Sequence, residues 1–395
     1  MPDKTYFEGT HRCVPPAETL RRIWPTARRL GVTRLADVTG LDRIGIPVVM
    51  AVRPASRSLS VSQGKGLTLE AAKVSAMMES LELYHGENIA LPTRFASLVE
   101  LQAEGRPVLD VEPIARPAFD PRRRILWVEG VDLLSDEGLS DEGLSGEGLS
   151  GGEGVLVPLE AVQADTVLDE LPGAGSFAVT SNGLASGNHL TEATVHALCE
   201  LVERDAASRW LDLNPASRRG SLLRLDGVDD LLCRRLLACF ESAEVEVRTW
   251  DLGTELGVQV YMTHIADRPG SVWPCPGIYA GAGCHLDAGV ALLRSLTEAA
   301  QSRLTAVSGA RDDIFEAKRR RDDEGCGFKS AAEPVQNFVP CRAGATLDED
   351  LGELLGRLER AGHRQVVRVD LSRPELGVPV VRLVVPTLRF DERLL

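Results

Sequence analysis

At 395 residues, with 44% hydrophobic and 26% charged side chains, the chain has the composition of a globular protein able to bury a large core. A formal charge of −14 excludes a non-specific nucleic-acid binder, because no surplus of lysine and arginine is available to neutralise phosphates. No run approaches about eighteen unbroken apolar residues, and Met1-Pro2-Asp3-Lys4 lacks the basic-then-apolar layout of a secretory signal, so no membrane association and a cytoplasmic location are expected.

Residues 5 to 30 combine a turn-rich start with a helix beginning near Pro15-Pro16. The apolar run GIPVVMAVRP (45 to 54) reads as a buried strand. It leads through SRSLSVSQGKG (56 to 66) into a long helix at 68 to 87. Gly64-Lys65-Gly66 is half a phosphate loop without the complete motif, but its place before a helix N-terminus suits an anion. A short helix near 97 to 104 and a strand at 124 to 134 follow, then the repeat LSDEGLSDEGLSGEGLSGGEG (134 to 154). That segment is acidic, Gly-rich and poor in bulky residues, which predicts a mobile loop lengthening a hairpin connection.

A second long helix lies within 176 to 210, behind a loop containing Gly187. Residues 226 to 243 read as an amphipathic helix, and 245 to 252 and 256 to 265 as neighbouring strands. A third Gly-rich loop feeds a third long helix within 279 to 313; the remainder offers a helix at 347 to 362 and strands at 365 to 371 and 379 to 385. The eight cysteines, Cys13, Cys199, Cys233, Cys239, Cys275, Cys284, Cys326 and Cys341, form neither a C-x-x-C pair nor a zinc spacing, which predicts reduced, structural thiols.

The three long helices share one pattern: Ala72, Ser75, Ala76, Glu79, Glu82; Ala193, His196, Ala197, Glu200, Glu203; and Ala291, Arg294, Ser295, Glu298, Gln301. Positions i, i+3, i+4, i+7 and i+10 lie on one helix face, so each helix carries a stripe that starts small and ends in two oxygen-bearing side chains. Apolar residues occupy the other side: Val74, Met77, Met78 and Leu81; Val195, Leu198, Cys199 and Val202; Leu293, Leu296 and Ala300, with Thr297 where a further apolar residue is expected. Small residues on the carboxylate side allow a backbone or a ligand to come close. Strand, loop and helix recurring with this stripe predict an internally duplicated α+β fold, with repeats at about 56–90, 176–210 and 279–313 in one 1–395 domain, its helices converging on a carboxylate-lined site flanked by mixed sheets.

Carboxylates gathered at one centre repel by about 4 kcal/mol per pair at an effective dielectric near 20, so cations or shared protons must neutralise them. Hard oxygen ligands point to Mg²⁺, which leaves positions for water and phosphate oxygens. Lys65, Arg204, Arg294 and Arg12 are placed to hold phosphates. A di-iron site is disfavoured, because only Glu82-Leu83-Tyr84-His85 supplies the Glu-x-x-His spacing. Cys284-His285 is a poor nucleophile pair, since adjacent residues do not face each other. His196 reads as a hydrogen-bonded partner of a glutamate or as a group acting on substrate.

The strings SQGKG…SAMMESLE, GNHLTEATVHALCELVERDA and RSLTEAAQSRL…GARDD resemble the three ATP-binding segments of the YcaO family, over about residues 8 to 315 and again 364 to 386. The resemblance implies ATP and Mg²⁺ as cofactors, with metal ligation by Glu79, Glu82, Glu192, Glu200, Glu203 and Glu298. It implies nucleotide contacts from Asn188, Arg204, Arg294 and Gln301, with Arg12 and Thr19 toward the phosphates and Lys65 and Ser75 beside them. The implied activity is ATP-dependent activation of a peptide backbone amide, with no covalent protein nucleophile. Azoline-forming members end in a Pro-rich tail, whereas this chain ends VVPTLRFDERLL. GTHR…ET, VTGLDRIGIPVV and GVPVVRLVVP are more similar to members that work beside a TfuA-like partner and install thioamides. A peptide or protein substrate, a TfuA-like partner, a sulfide source and a homodimer follow as expectations, with azoline formation or a non-catalytic scaffold as alternatives.

Overall fold

The structure, a computed structural model, describes residues 4–135, 154–165, 171–271, 275, 277–309, 328 and 333–394. A hairpin, β1 (Thr5–Phe7) and β2 (Thr10–Arg12), precedes helix α1 (Pro16–Arg29), whose first residue, Pro16, stands where a missing N–H is harmless and which carries a second proline, Pro25, inside it. Strands β3 (Arg34–Asp37), β4 (Val48–Val52) and β5 (Val61–Lys65) form an antiparallel sheet, and β5 runs into helix α2 (Leu69–Glu87). β6 (Arg94–Ala96), β7 (Ile125–Asp132), β8 (Val155–Pro158) and β9 (Leu184–Ser186) belong to a six-stranded sheet. Helices α3 (Leu190–Asp212) and α4 (Leu231–Ser242) come next. A second three-stranded sheet holds β10 (Val245–Asp251), β11 (Gln259–Asp267) and β12 (Tyr279–His285), followed by helix α5 (Ala288–Ser308). Helix α6 (Leu347–Arg360) and strands β13 (Val367–Asp370) and β14 (Val380–Val384) complete the six-stranded sheet in the order β6-β7-β13-β14-β9, with β8 on β7.

Long pairings in these sheets are antiparallel, and the parallel ones are a two-residue match of Leu223–Arg224 with Gln336–Asn337 and an isolated bridge of Val108 with Leu156. The expected mixed sheets are therefore almost wholly antiparallel; short connections account for the β10-β11 and β13-β14 pairs, whereas β7-β13 and β14-β9 join strands far apart in the sequence. β7 pairs with β8, so the acidic repeat joins two adjacent antiparallel strands; its expected mobility falls on 136–153, outside the described residues. Cys13, Cys199, Cys233, Cys239, Cys275, Cys284 and Cys341 are free thiols, and Cys326 is outside the described residues.

Each long helix starts at a side-chain cap: Thr68 accepts from Ala71 N–H, His189 from Thr191 N–H and Asp287 from Val290 N–H. Each then buries its apolar side in a different cluster. Met77 and Leu81 pack with β4 and β14 residues, Leu198 and Val202 with α6, and Leu293 and Leu296 with α4.

The stretches expected to be Gly-rich loops before these helices are strands β5, β9 and β12. Their glycines lie against the helix that follows. A Cβ on Gly64 would stand 2.0 Å from Ala76 N, on Gly281 2.2 Å from Ala299 N and on Gly283 2.1 Å from Ala291 O; on Gly187, just past β9, it would stand 2.7 Å from Ala193 N. The small half of each stripe thus receives a strand backbone, and the glutamate half is left to face the space beyond it. Gly64→Ala should therefore lower stability by about 3 kcal/mol or more. The control Gly352→Ala, exposed on α6 with nothing within 4 Å of the new methyl, should raise it by about 1 kcal/mol. Chemical denaturation of the two variants checks both signs.

Candidate active site

Arg12, Thr19, Lys65, Ser75, Glu79, Glu82, Asn188, Glu192, His196, Glu200, Glu203, Arg204, Arg294, Glu298 and Gln301 all line one cavity of about 1180 Å³. Helix α2 supplies Ser75, Glu79 and Glu82, α3 supplies Glu192 through Arg204, and α5 supplies Arg294, Glu298 and Gln301. Arg12 comes from β2, Thr19 from α1 and Lys65 from β5.

The carboxylates take backbone donors from the strands pressed on their helices. Glu79 Oε2 accepts from Gln63 N–H at 3.2 Å, and Glu298 Oε1 from Ala282 N–H at 3.4 Å. Glu82 Oε1 accepts from Ser186 N–H at 2.9 Å and from its hydroxyl at 2.6 Å. Gln301 Nε2 donates to Gln63 O at 3.1 Å, so β5 is held by both α2 and α5. Lys65 Nζ is paired with Glu298 Oε2.

Glu192 is set differently from the other glutamates. Its two oxygens accept from Cys13 N–H and Sγ, both at 2.9 Å, and from Asn188 N–H at 3.2 Å and Nδ2 at 3.3 Å, with Arg12 Nε 3.7 Å away. Thr19 Oγ1 in turn donates to Asn188 Oδ1 at 2.9 Å. These donors make Glu192 the organiser of the Arg12–Asn188–Thr19 corner.

Mutual repulsion links the remaining carboxylates across the helices. Burial pushes Glu82 up to about 8, with Glu79 and Glu200 adding to it against the bonds from Ser186. Burial likewise lifts Glu200 to about 7 against the pull of Arg204, and lifts Glu203, with Glu298 adding to it. Burial also pushes Glu298 up, but Lys65 and Arg204 outweigh it and hold its carboxyl below the ordinary value. His196 is driven well below the ordinary imidazole range by burial and by Arg294, whose Nη2 lies 3.3 Å from His196 Nε2. A neutral imidazole whose Nε2 faces a guanidinium steadies Arg294 and is a weak proton acceptor for substrate.

Glu203 Oε2 and Arg294 Nε are buried without a hydrogen-bond partner among the described residues. Among those residues no group of three carboxylate, imidazole or thiol side chains converges tightly enough to hold an ion. Strand N–H groups, the Ser186 hydroxyl and Lys65 take up oxygens of Glu79, Glu82 and Glu298. The donor set fits Mg²⁺, being hard carboxylate oxygens, with Glu82, Glu200 and Glu203 raised in proton affinity and Glu203 Oε2 without a partner among the described residues.

His85 Nδ1 lies 2.7 Å from Leu81 O and His285 stacks on His11, so neither the Glu-x-x-His spacing nor the Cys284-His285 pair reaches the carboxylates as a ligand or base. Asp312 and Asp313 of the third string lie outside the described residues. Several contributors were not foreseen. Ser186 and the Gln63 amide hold Glu82 and Glu79, and Arg382 on β14 is buried behind Glu200, its guanidinium brought down to about 10 by burial and lifted by Glu200. A lone arginine inside the apolar run VPVVRLVVP is the signal that marks it.

A model of the family described as YcaO cyclodehydratase, ATP- and Mg²⁺-binding, matches residues 63–389. An uncharacterised protein in the tfuA 3′ region of Rhizobium leguminosarum bv. trifolii is 35% identical over 394 residues, covering 96% of this chain and 89% of its own. The structure of YcaO from Methanopyrus kandleri bound with AMPPCP and Mg²⁺ superposes with a TM-score of 0.72 at 26% identity, over 98% of this chain and 95% of that one. A heterocyclase in complex with substrate and cofactor shares the fold, with a TM-score of 0.73 at 20% identity, over 98% of this chain and 55% of its own.

In metal-free protein, Glu82 and Glu200 keep their protons to about pH 8 and about pH 7 when folded, against an ordinary value of 4.5. Their folded-state values are raised, so the stability they contribute is fully present below the unfolded value and is lost as pH rises through 7 to 8. Thermal melts in chelator should therefore show stability falling from about pH 5 to about pH 8, and Glu82→Gln should flatten that fall. An unaltered slope in the variant contradicts the assignment.

Proposed function

The chain belongs to the YcaO family, whose model is ATP- and Mg²⁺-binding, and on that premise we propose that it uses ATP with Mg²⁺ to activate a backbone amide of a peptide and exchange its oxygen for sulfur. The observation that carries the reading is the convergence of the helix glutamates with Arg204, Arg294 and Lys65 on one cavity, where Glu203 Oε2 is buried without a partner.

Glu79, Glu82, Glu200, Glu203 and Glu298 are the residues that would hold Mg²⁺. Arg12, Lys65, Arg204 and Arg294 would face phosphate oxygens, with Asn188, Thr19, Ser75 and Gln301 as neutral donors and acceptors. Bound together, nucleotide and metal supply a phosphoryl group and the charge that offsets its transfer. The chain's own residues then have three tasks: to orient the amide, to exclude water and to balance charge. Hydrosulfide adds to the amide carbon, the amide oxygen leaves with the γ-phosphoryl group as phosphate, and the C=S bond replaces C=O, giving ADP, phosphate and the thioamide. No step calls for a protein nucleophile, and His196 serves to steady Arg294.

Support for sulfur comes from the relative in the tfuA 3′ region, which matches nearly the whole chain. With it we infer a TfuA-like partner and a sulfide donor, and a homodimer as the working assembly. Azoline formation on a Cys, Ser or Thr of the peptide is the second reading, favoured by the family description and by the heterocyclase of similar fold.

Mass spectrometry of peptide incubated with ATP, Mg²⁺ and sulfide separates the two: a gain of about 16 Da marks oxygen-to-sulfur exchange, a loss of about 18 Da marks cyclodehydration, as the atoms of each reaction require. Glu203→Gln should lower ATP-dependent turnover by about 100-fold or more. Turnover within twofold of the parent protein, read in the same assay, removes Glu203 from the site.

A further inference from the structure

One end of the cavity is unlike the rest. Beyond the carboxylates it is lined by Trp210, Leu211, Met262, His264 and Ile278. Trp210 and His264 meet edge to face with centroids 6.0 Å apart, and Trp250 backs both at 5.5 and 4.8 Å. Arg218 stacks its guanidinium 4.6 Å from the Trp210 ring centre and donates to the carbonyls of Trp210 and Leu211 at the end of α3, which fixes the indole. Trp210 is only 5% exposed, yet its Nε1 is buried with no acceptor among the described residues.

The distance from this end to the carboxylates follows from the fold. Glu203 and Trp210 are seven residues apart on one face of α3, two turns or about 10.5 Å along its axis. On β12, Ala282 gives its N–H to Glu298, and Ala280, two residues away on the same face, pairs with His264, a step of about 7 Å. Between the two points Ala207, Met262 and Ala282 form an apolar floor. An extended peptide advances about 3.5 Å per residue, so a chain with its amide at the carboxylates brings the side chain two or three residues away over the aromatic end.

We propose that the Trp210–His264–Met262 end is the specificity slot for the peptide, taking an apolar or aromatic side chain two or three residues from the activated amide. The slot rests on the reading of the substrate as a peptide. It uses chemistry the polar end lacks, since Arg12, Asn188, Thr19 and Ser75 offer charge and hydrogen bonds and no aromatic wall. His264 is kept neutral by burial, down to about 4, and the two arginines at this end are engaged, Arg218 on the Trp210 ring and the helix-end carbonyls and Arg393 with Asp212 and Asp391, so none is left over for an acidic side chain.

The test uses the full chain with AMPPCP and Mg²⁺ and the capped peptides Ac-Gly-Gly-X-Gly-Gly-NH₂, where X is Phe, Leu, Lys or Glu. Binding is read by saturation-transfer NMR and AMPPCP affinity by calorimetry. The Phe and Leu peptides should bind in preference to Lys and Glu, and Trp210→Phe, which removes part of the aromatic wall, should weaken them about fivefold while AMPPCP affinity stays within twofold. Ile278→Glu, at a position 40% exposed, should shift the preference to the Lys peptide. Peptides that bind without preference, or a Trp210→Phe protein that binds them unchanged, overturn the slot and leave the peptide reading standing. Weakened AMPPCP with unchanged peptide binding assigns the aromatic end to the nucleotide base and overturns it too. If AMPPCP binds and no peptide does, the peptide reading fails and the slot with it.

Discussion

Five helix glutamates share an interior they cannot all occupy as bare anions, and the rest of the molecule is arranged around that constraint. Two like charges a few ångströms apart in a partly buried site repel by several kcal/mol, more than one hydrogen bond returns. The structure answers with three partial remedies. Strand N–H groups reach Glu79, Glu82 and Glu298, cationic side chains from β5, α3 and α5 surround Glu203 and Glu298, and Glu82 and Glu200 hold protons well above the ordinary carboxylate range. One oxygen, Glu203 Oε2, keeps no partner among the described residues. Such a centre favours divalent cations carrying phosphate, because that pair adds positive charge where carboxylates gather and negative charge where Arg204 and Arg294 stand.

What brings the stripes together is the approach of strand to helix. Gly64, Gly281 and Gly283 press backbone on backbone at distances no side chain would allow, which fixes both the tilt of each helix and the direction its glutamates face. The apolar sides then lock into separate clusters, so each helix is held from behind by its own core and from the front by a strand. Substitutions at these glycines and at the glutamates are thus linked, although they lie on different elements.

The helices were legible because their apolar and polar faces repeat at 3.6 residues and their starts carry capping residues; α2, predicted at 68 to 87, spans Leu69–Glu87. The glutamates were legible because the same frame recurs. Strands β5 and β12 were not. SVSQGK and YAGAGCH lack alternating apolar residues, since the side facing the helix must be glycine and so has no side chain to signal burial. β9 is three residues long and falls below any periodic signal. The aromatic end was hidden for another reason: Trp210, Trp250 and His264 come from α3, β10 and β11, and nothing local ties them together. The separate status of Glu192 was equally invisible, because Cys13 and Arg12, which saturate it, are distant in sequence.

Calorimetric titration of the protein with AMPPCP, repeated with Mg²⁺ and with chelator in buffers of different ionisation enthalpy, tests the central claim most directly. Binding should require Mg²⁺ and should release protons near neutral pH, as carboxylates that held them become ligands. Equal affinity in chelator, with no proton release, would contradict the claim that these stripes form a cation and nucleotide centre.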